Sequence, residues 1–438
     1  MKYKVYIILF FLIFFKNTIF ANSEYYIDSI LQLQKDFNFF LNKDELTDRA
    51  FLNKTNITTM DSVFNVELNV LHQSLAKNPK KMASVLYFGK VKNISFYIEP
   101  VITNKYYGKK ILGIDYNRND ISARIQKSFV NISDSFYSFY FGRFPVFWGE
   151  SIFGSIIHSG LYPAYENVLI LYNFGKIKYE LMVGTLNSEK SGDGSLIRRQ
   201  ISGRRLSIKF SHRYSIAAGE QIIYTGENRE PSLRYLNPFV PYFLTGLEAN
   251  ERDSDYDNDN SILFFHQRYL FDKKKSSIYN EIIIDDYQID KTSLDHAVGF
   301  KLGYDNFFKV KNHDFFLVIE HTKISPLSYI HHGQFTSWQN LGHNIGYPYG
   351  GDIENFQLKL YIKDKKSRIL NIEVDYIIKG ELNTNSQWDW GEILNDKNEL
   401  YKKYVFMKAG LTFKKEWGFI EIAWKPINQL NSFIVNYD

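Results

Sequence analysis

Cysteine is absent from all 438 residues, so neither a disulfide framework nor a thiolate site is available to this chain. Charge of one sign is also scarce. There are 53 Lys and Arg against 48 Asp and Glu, a net +5 that is too small to drive nucleic-acid binding. Long apolar runs are missing beyond residues 5–15, and a membrane helix needs roughly 20 such residues, so a helical integral membrane protein is excluded. No GxSxG elbow, HExxH helix, phosphate-binding glycine loop or dinucleotide fingerprint occurs, and no cofactor is expected.

Aromatic side chains are abundant: 32 Tyr and 37 Phe help bring the aromatic share to 17%. Mean hydropathy is nevertheless slightly polar at −0.30 because apolar and polar residues are interleaved. In residues 356–363, Phe356, Leu358, Leu360 and Ile362 alternate with Gln357, Lys359, Tyr361 and Lys363. A strand sends successive side chains to opposite faces, so the pattern makes a sheet with one oily and one polar surface. Lys2 and Lys4, the apolar run and a plausible cleavage site at Ile19, Phe20 and Ala21 read as a signal peptide over residues 1–21. An exported, disulfide-free sheet rich in aromatics is economically read as a transmembrane β-barrel with lipid outside and a polar lumen inside.

Residues 22–80 are expected to form a periplasmic, partly helical segment, because Ile27, Ile30, Leu31, Leu33 and Phe37 fall near helical spacing. From about Met82 the strands follow one another, joined by turns that alternate short (211–213, 272–276, 363–367, 414–416) and long (144–167, 225–260, 323–352, 379–400). The predicted fold is all-β: an up-and-down antiparallel barrel of about 18 strands over residues 81–438, ending in a strand at 432–437. Asp438 follows Tyr437, one residue off the aromatic ending usual for such barrels.

Five segments resemble the Wzi capsule assembly family of outer-membrane barrels. They are GRFPVFWGESIFGS at 142–155, EQIIYTGENREPSLRYLNPFVPYF at 220–243, DNDNSILFF at 257–265, NEIIIDDYQID at 280–290 and the His- and Gly-rich stretch at 320–358. The resemblance implies an eighteen-stranded barrel integral to the outer membrane, with a periplasmic helical part, acting as a surface lectin rather than an enzyme. Its expected partners are capsular or exopolysaccharide, outer-membrane lipid and the capsule export machinery.

A glycan needs hydrogen-bond partners and flat apolar faces, and the long loops carry both. Candidates for sugar contact are Arg143, Trp148, Tyr162, Glu227, Arg234, Tyr235, Asn237, Asp286, His331, His332, Trp338, His343 and Tyr347. Aromatics at strand ends have a plainer role in the membrane girdle. The three histidines could hold a metal, but packing within their loop is the simpler reading. Asp253, Asp255, Asp257 and Asp259 lack the glycine and closing glutamate of an EF-hand. Glu150, Glu227, Glu320, Asp285 and Asp286 near strand ends leave a glycosidase as a weaker reading, and lumenal pairing with Arg204 and Arg205 as a stronger one. Arg143, Arg229, Arg234 and Lys323 are expected to form a basic rim that attracts an acidic polymer. The alternative function is a diffusion channel, since an open barrel of this size would conduct ions.

Overall fold

A computed structural model describes residues 62–73, 80–104, 112–113, 118–151, 153–237, 239–242, 259–271, 276–286, 296–331, 335–363, 368–380, 402–415 and 418–424. The strands are β1 (Ser62–Gln73), β2 (Lys80–Val91), β3 (Ile94–Asn104), β4 (Ile121–Ser133), β5 (Tyr137–Phe144), β6 (Tyr165–Phe174), β7 (Ile177–Thr185), β8 (Glu189–Lys190), β9 (Leu196–Lys209) and β10 (Tyr214–Gly226). They continue as β11 (Asp259–Phe271), β12 (Ser276–Asp286), β13 (Ala297–Val310), β14 (His313–Ile324), β15 (Gln339–Asn340), β16 (His343–Asn344), β17 (Ile353–Lys363), β18 (Arg368–Lys379), β19 (Lys402–Lys415) and β20 (Gly418–Trp424). Each long strand pairs antiparallel with the next, with β7 passing to β9 and β14 to β17. Among the described residues the sheet has eighteen members, of which β8 contributes two residues, while β15 and β16 form a separate small hairpin. No helix among the described residues is long and apolar enough to cross a membrane.

Polarity across this sheet is inverted relative to a soluble protein. On β13, Val298, Phe300 and Leu302 are exposed while Lys301 between them is 0% exposed; on β17, Phe356 and Leu358 are exposed while Gln357, Lys359 and Tyr361 are buried. In water this arrangement would leave a large sticky surface. In a bilayer it is the stable one, with apolar side chains against lipid and the polar ones paired in the lumen. Aromatic pairs at the short-turn end (Tyr172–Phe174, Phe210–Tyr214, Tyr269–Phe271 and Phe308–Phe315) supply the interfacial girdle there.

The expected alternation of short and long connections is present, and among the described residues the sheet already includes β1 at Ser62–Gln73, ahead of the expected start at about residue 81. The signal lies in the sequence: Phe64, Val66, Leu68 and Val70 alternate with Asn65, Glu67 and Asn69. Helical spacing in residues 23–61 and the final strand at 432–437 lie outside the described residues.

Candidate functional site

The connection 145–164 leaves β5 and turns into the lumen. An antiparallel bridge between Trp148 and His158 folds it on itself, with backbone bonds of 3.0 and 3.2 Å. Gly149 at the turn has φ 130°, and a Cβ there would meet Ser155 Oγ and Glu281 Oε1 far inside van der Waals contact. This close approach lets Glu281 of β12 accept four hydrogen bonds. They come from the amides of Glu150 (2.5 Å), Ser151 (2.8 Å) and Ile156 (2.8 Å) and from the Ser155 hydroxyl (2.9 Å).

Two further carboxylates complete the lock. Glu320 of β14 accepts from Ser151 Oγ at 2.6 Å and pairs with Lys301 of β13 at 3.0 Å. Glu150 of the plug itself receives Arg268 Nε at 2.6 Å and faces His266 Nδ1 at 3.0 Å, both from β11. Arg268 also pairs with Asp305 of β13 at 2.6 Å. All of these groups are buried, so each charge depends on its partner: removal of one would leave the other uncompensated in a low-dielectric interior.

A second connection, 325–352, packs over the plug. Ser159 donates to the Ile345 carbonyl at 2.9 Å, Tyr329 donates its hydroxyl to the Ile156 carbonyl, and Asn340 Nδ2 donates to the Pro163 carbonyl at 2.7 Å. Burial pushes the Tyr329 and Tyr347 hydroxyls well above the usual phenol range and keeps them neutral. His158 is sealed between Gln221 (Nδ1 to Oε1, 2.6 Å) and the Tyr165 hydroxyl (Nε2, 3.2 Å), and desolvation lowers its pKa to about 4. It is therefore a neutral hydrogen-bond bridge at physiological pH.

Residues 227–242 do something different, lying on the outer wall of the sheet. Gln221 and Gly219 of β10 face the plug, so Glu220, Ile222 and Tyr224 face outward, and Tyr235 and Tyr242 close over them as a buried cluster. Arg204 of β9 pairs with Glu220 under this strap and donates to the carbonyls of Asn237 (2.7 Å) and Val240 (2.7 Å). Arg205, the next residue, faces the lumen, where it pairs with Glu180 and lies over the Trp148 ring. The expectation that both arginines are lumenal is thus corrected, because strand neighbours point opposite ways.

The sugar candidates divide sharply. Trp148, Tyr162, Tyr235, Trp338 and Tyr347 are at most 4% exposed and offer no ring face to a ligand, so in this structure they are packing residues of the plug and strap. Tyr162 bonds the amide and carbonyl of Val146, and Tyr235 donates to Asp259 at 2.6 Å. Arg143 lies on the outward face of β5, bonded to Glu166 at 2.8 Å and to the Ile125 carbonyl at 2.8 Å, rather than in a loop. Glu227, Arg234 and Asn237 are exposed, whereas His331 and His343 are half-buried. Asp286 ends β12 at a register shift, its neighbour Asp285 accepts the Tyr329 amide, and His332 lies outside the described residues. Among the described residues no group of three or more His, Asp or Glu is arranged to hold a metal ion. Glu150 and Glu320, weighed as possible acids or bases, are consumed by the plug's ionic network.

Of the four cations of the expected basic rim, three lie beside a carboxylate and the fourth, Arg234, is exposed. Arg143 pairs with Glu166, Arg229 with Asp259 at 3.2 Å, and Lys323 lies 3.9 Å from Glu354. The long connections together carry 20 acidic residues against 11 basic ones. Sequence reasoning missed Glu281 and Lys301, whose only signal was a charged residue at the polar phase of an alternating strand.

An antiparallel meander with apolar side chains outside, paired charges inside and its own connections packed into the lumen defines an integral outer-membrane protein of the β-barrel class. The chain belongs to the family described as capsule assembly protein Wzi, whose profile matches residues 163–418. Four of the five resembling segments fall within that match, and the segment at 142–155 precedes it. Among solved structures, the chain is similar to Wzi of Escherichia coli, described as an outer-membrane protein involved in group 1 capsule assembly and a carbohydrate-binding β-barrel. The TM-score is 0.60 and the identity 13%, with 93% of this chain and 91% of that one covered. OccK5 (OpdH) of Pseudomonas aeruginosa aligns with a TM-score of 0.42 and 7% identity, covering 83% of this chain and 91% of that one. OprD of the same organism aligns with a TM-score of 0.40 and 11% identity, covering 83% and 87%. No curated protein matches. The family places this chain in a capsule-related role at the outer membrane.

Proposed function

We propose that the protein is a non-enzymatic surface lectin that holds capsular or exopolysaccharide on its long loops while the barrel anchors it in the outer membrane. The observation that carries this reading is the plug: Glu281, Glu320 and Glu150 fasten the connection 145–164 to the inner face of the sheet, which favours a surface at the outer end over an open passage. The carbohydrate-binding description of the E. coli neighbour supports the same reading. Exposed Glu227 and Arg234, near the outer end of β10, with half-buried His331 and His343, are the candidate contacts that remain within reach, whereas Asn237 lies lower on the outer wall with its carbonyl on Arg204. Because acidic residues dominate the long connections, a neutral glycan, or an acidic one bridged by cations, fits better than direct attraction of an anionic polymer. Multivalent engagement of a repeating polymer would raise modest single-site affinity. Deletion of the gene should release polymer from the cell surface into the medium, and the purified protein should bind whole capsule. Unchanged polymer retention in the deletion strain would overturn the reading. Large steady currents in planar bilayers would instead favour the diffusion channel.

A further inference from the structure

The outer wall between β3 and the strap carries a hollow of about 710 Å³, within the roughly 300–1,000 Å³ usual for small-molecule sites. Register fixes which side chains line it, because residues paired across antiparallel strands share a face. Phe96, Val130, Phe141, Val168 and Val183 lie in one such row and form its apolar floor. Two residues nearer the long-loop end, Ser128, Arg143, Glu166 and Thr185 make a polar row, of which Ser128, Glu166 and Thr185 line the hollow. Pro231 of the strap borders it on the side of β7. Strap and rim are joined by hydrogen bonds: the Thr185 hydroxyl donates to Gln200 Oε1 at 2.8 Å, and Gln200 Nε2 donates to the Arg229 carbonyl at 3.2 Å.

The floor faces hydrocarbon, where no water is present to fill a hollow and an unfilled one forfeits dispersion contacts, so an acyl chain is its fitting occupant. The rim selects the head that goes with it. Arg143 is paired with Glu166, Arg198 with Glu230 and Arg229 with Asp259, so the rim offers hydroxyls and a carboxylate in place of a phosphate-binding cation. Such groups suit the hydroxyls of a sugar. Pro231 also lies between Glu227 and Arg234, the exposed residues already assigned to glycan contact. We propose that the hollow binds the acyl chain of a glycolipid of the outer leaflet, with its first sugar on Ser128, Glu166 and Thr185 and its glycan continuing toward Glu227 and Arg234. This deepens the lectin reading and rests on it for the sugar contacts, whereas the acyl seat rests on the wall alone.

The test places the full chain in phosphatidylcholine nanodiscs doped with monoglucosyl diacylglycerol that carries a diazirine on its acyl chain, or with phosphatidylcholine labelled in the same way. Photolabelled residues are read by mass spectrometry, and capsule binding is measured on the same preparation. Labelling at Phe141 by the glycolipid should exceed that by the phospholipid about fivefold, the worth of one net hydrogen bond. S128A/T185V should remove this preference while both lipids still label, and V168W/V183W, which fills the floor, should abolish labelling at Phe141 by either. Compact migration of unheated protein on gels shows that each variant is folded. Equal labelling of the parent by the two lipids overturns the glycolipid assignment, as does a label spread evenly to exposed Leu302 and Phe356 of β13 and β17. Disulfide-linked dimers of Phe141→Cys would place a second copy in the hollow and also overturn it. Glycolipid preference without capsule binding would sink the lectin reading and leave this site standing, and capsule binding without the preference would do the reverse.

Discussion

Arg204 and Arg205 are adjacent on β9, and each is buried in an ion pair, yet they lie on opposite sides of one wall. Inside, Arg205 belongs to the network beneath the plug, where charge is expected and partners come from several strands. Outside, Arg204 and Glu220 sit midway along their strands, at a height where the neighbouring wall presents Leu206 and Leu263. A bare ion pair there would face hydrocarbon, which cannot satisfy it. The strap 227–242 resolves this by covering the pair and giving Arg204 two carbonyl acceptors. The comparison shows that a polar residue at the outward phase of a barrel strand marks a place where protein covers the wall.

The largest expected effect lies inside. Glu281→Ala strands three plug amides and a hydroxyl that one carboxylate now satisfies, at a cost of about 3–5 kcal/mol to plug seating. Single-channel recording should show openings in the variant that the parent lacks. Equal conductance in the two would mean that the plug is not what closes the lumen.

His158 gives the second test, through pH. Its imidazole is held at about 4 against an ordinary 6.5, so the released plug binds a proton that the seated plug refuses. The stabilisation is therefore complete above about pH 6.5 and is lost as the pH falls toward 4, by about 3 kcal/mol in all. Fluorescence of buried Trp148 and Trp338 should report plug release on acidification. In His158→Asn the profile should flatten over this range whatever the variant's basal stability. A transition of unchanged midpoint and amplitude in that variant would assign the acid response elsewhere.

The outer wall should respond more weakly. Glu220→Gln keeps the shape but loses the charge partner of Arg204, which retains its two carbonyls, so about 1–3 kcal/mol of strap docking is expected to go. Limited proteolysis within 227–242 should accelerate while conductance stays at the parent level. If conductance rises instead, the strap and plug are coupled through the wall and the inside–outside distinction fails.

How much of this was legible follows from the range of each signal. Alternation is local, so the strand at 353–363 and its partner at 368–379 are legible directly, and β1 carries the same signal in Phe64 to Val70. Strand phase is also local, and it should have separated Arg204 from Arg205. What alternation cannot supply is the destination of a long connection. Glu281 meets amides 125 to 131 residues away, and Glu320 meets Ser151 across 169. No spacing rule links such positions, so Trp148 and Trp338 read equally well as ligand platforms or as packing. Their burial decided for packing. Residues such as Asn237 stayed accessible because the strap turns them away from the wall.

The smallest effect sharpens the comparison by showing a charge pair on the outer wall that has no protein cover. Arg143 and Glu166 lie on the outward face near the long-loop end, with side chains 27% and 57% exposed. Both reach polar surroundings, so their attraction is screened and the pair should contribute no more than about 1 kcal/mol. Arg143→Gln should leave thermal unfolding, conductance and strap proteolysis within error of the parent. A loss comparable to that of Glu220→Gln would mean that this part of the wall is covered too, and that outward exposure in the isolated chain understates how much protein surrounds it in the membrane.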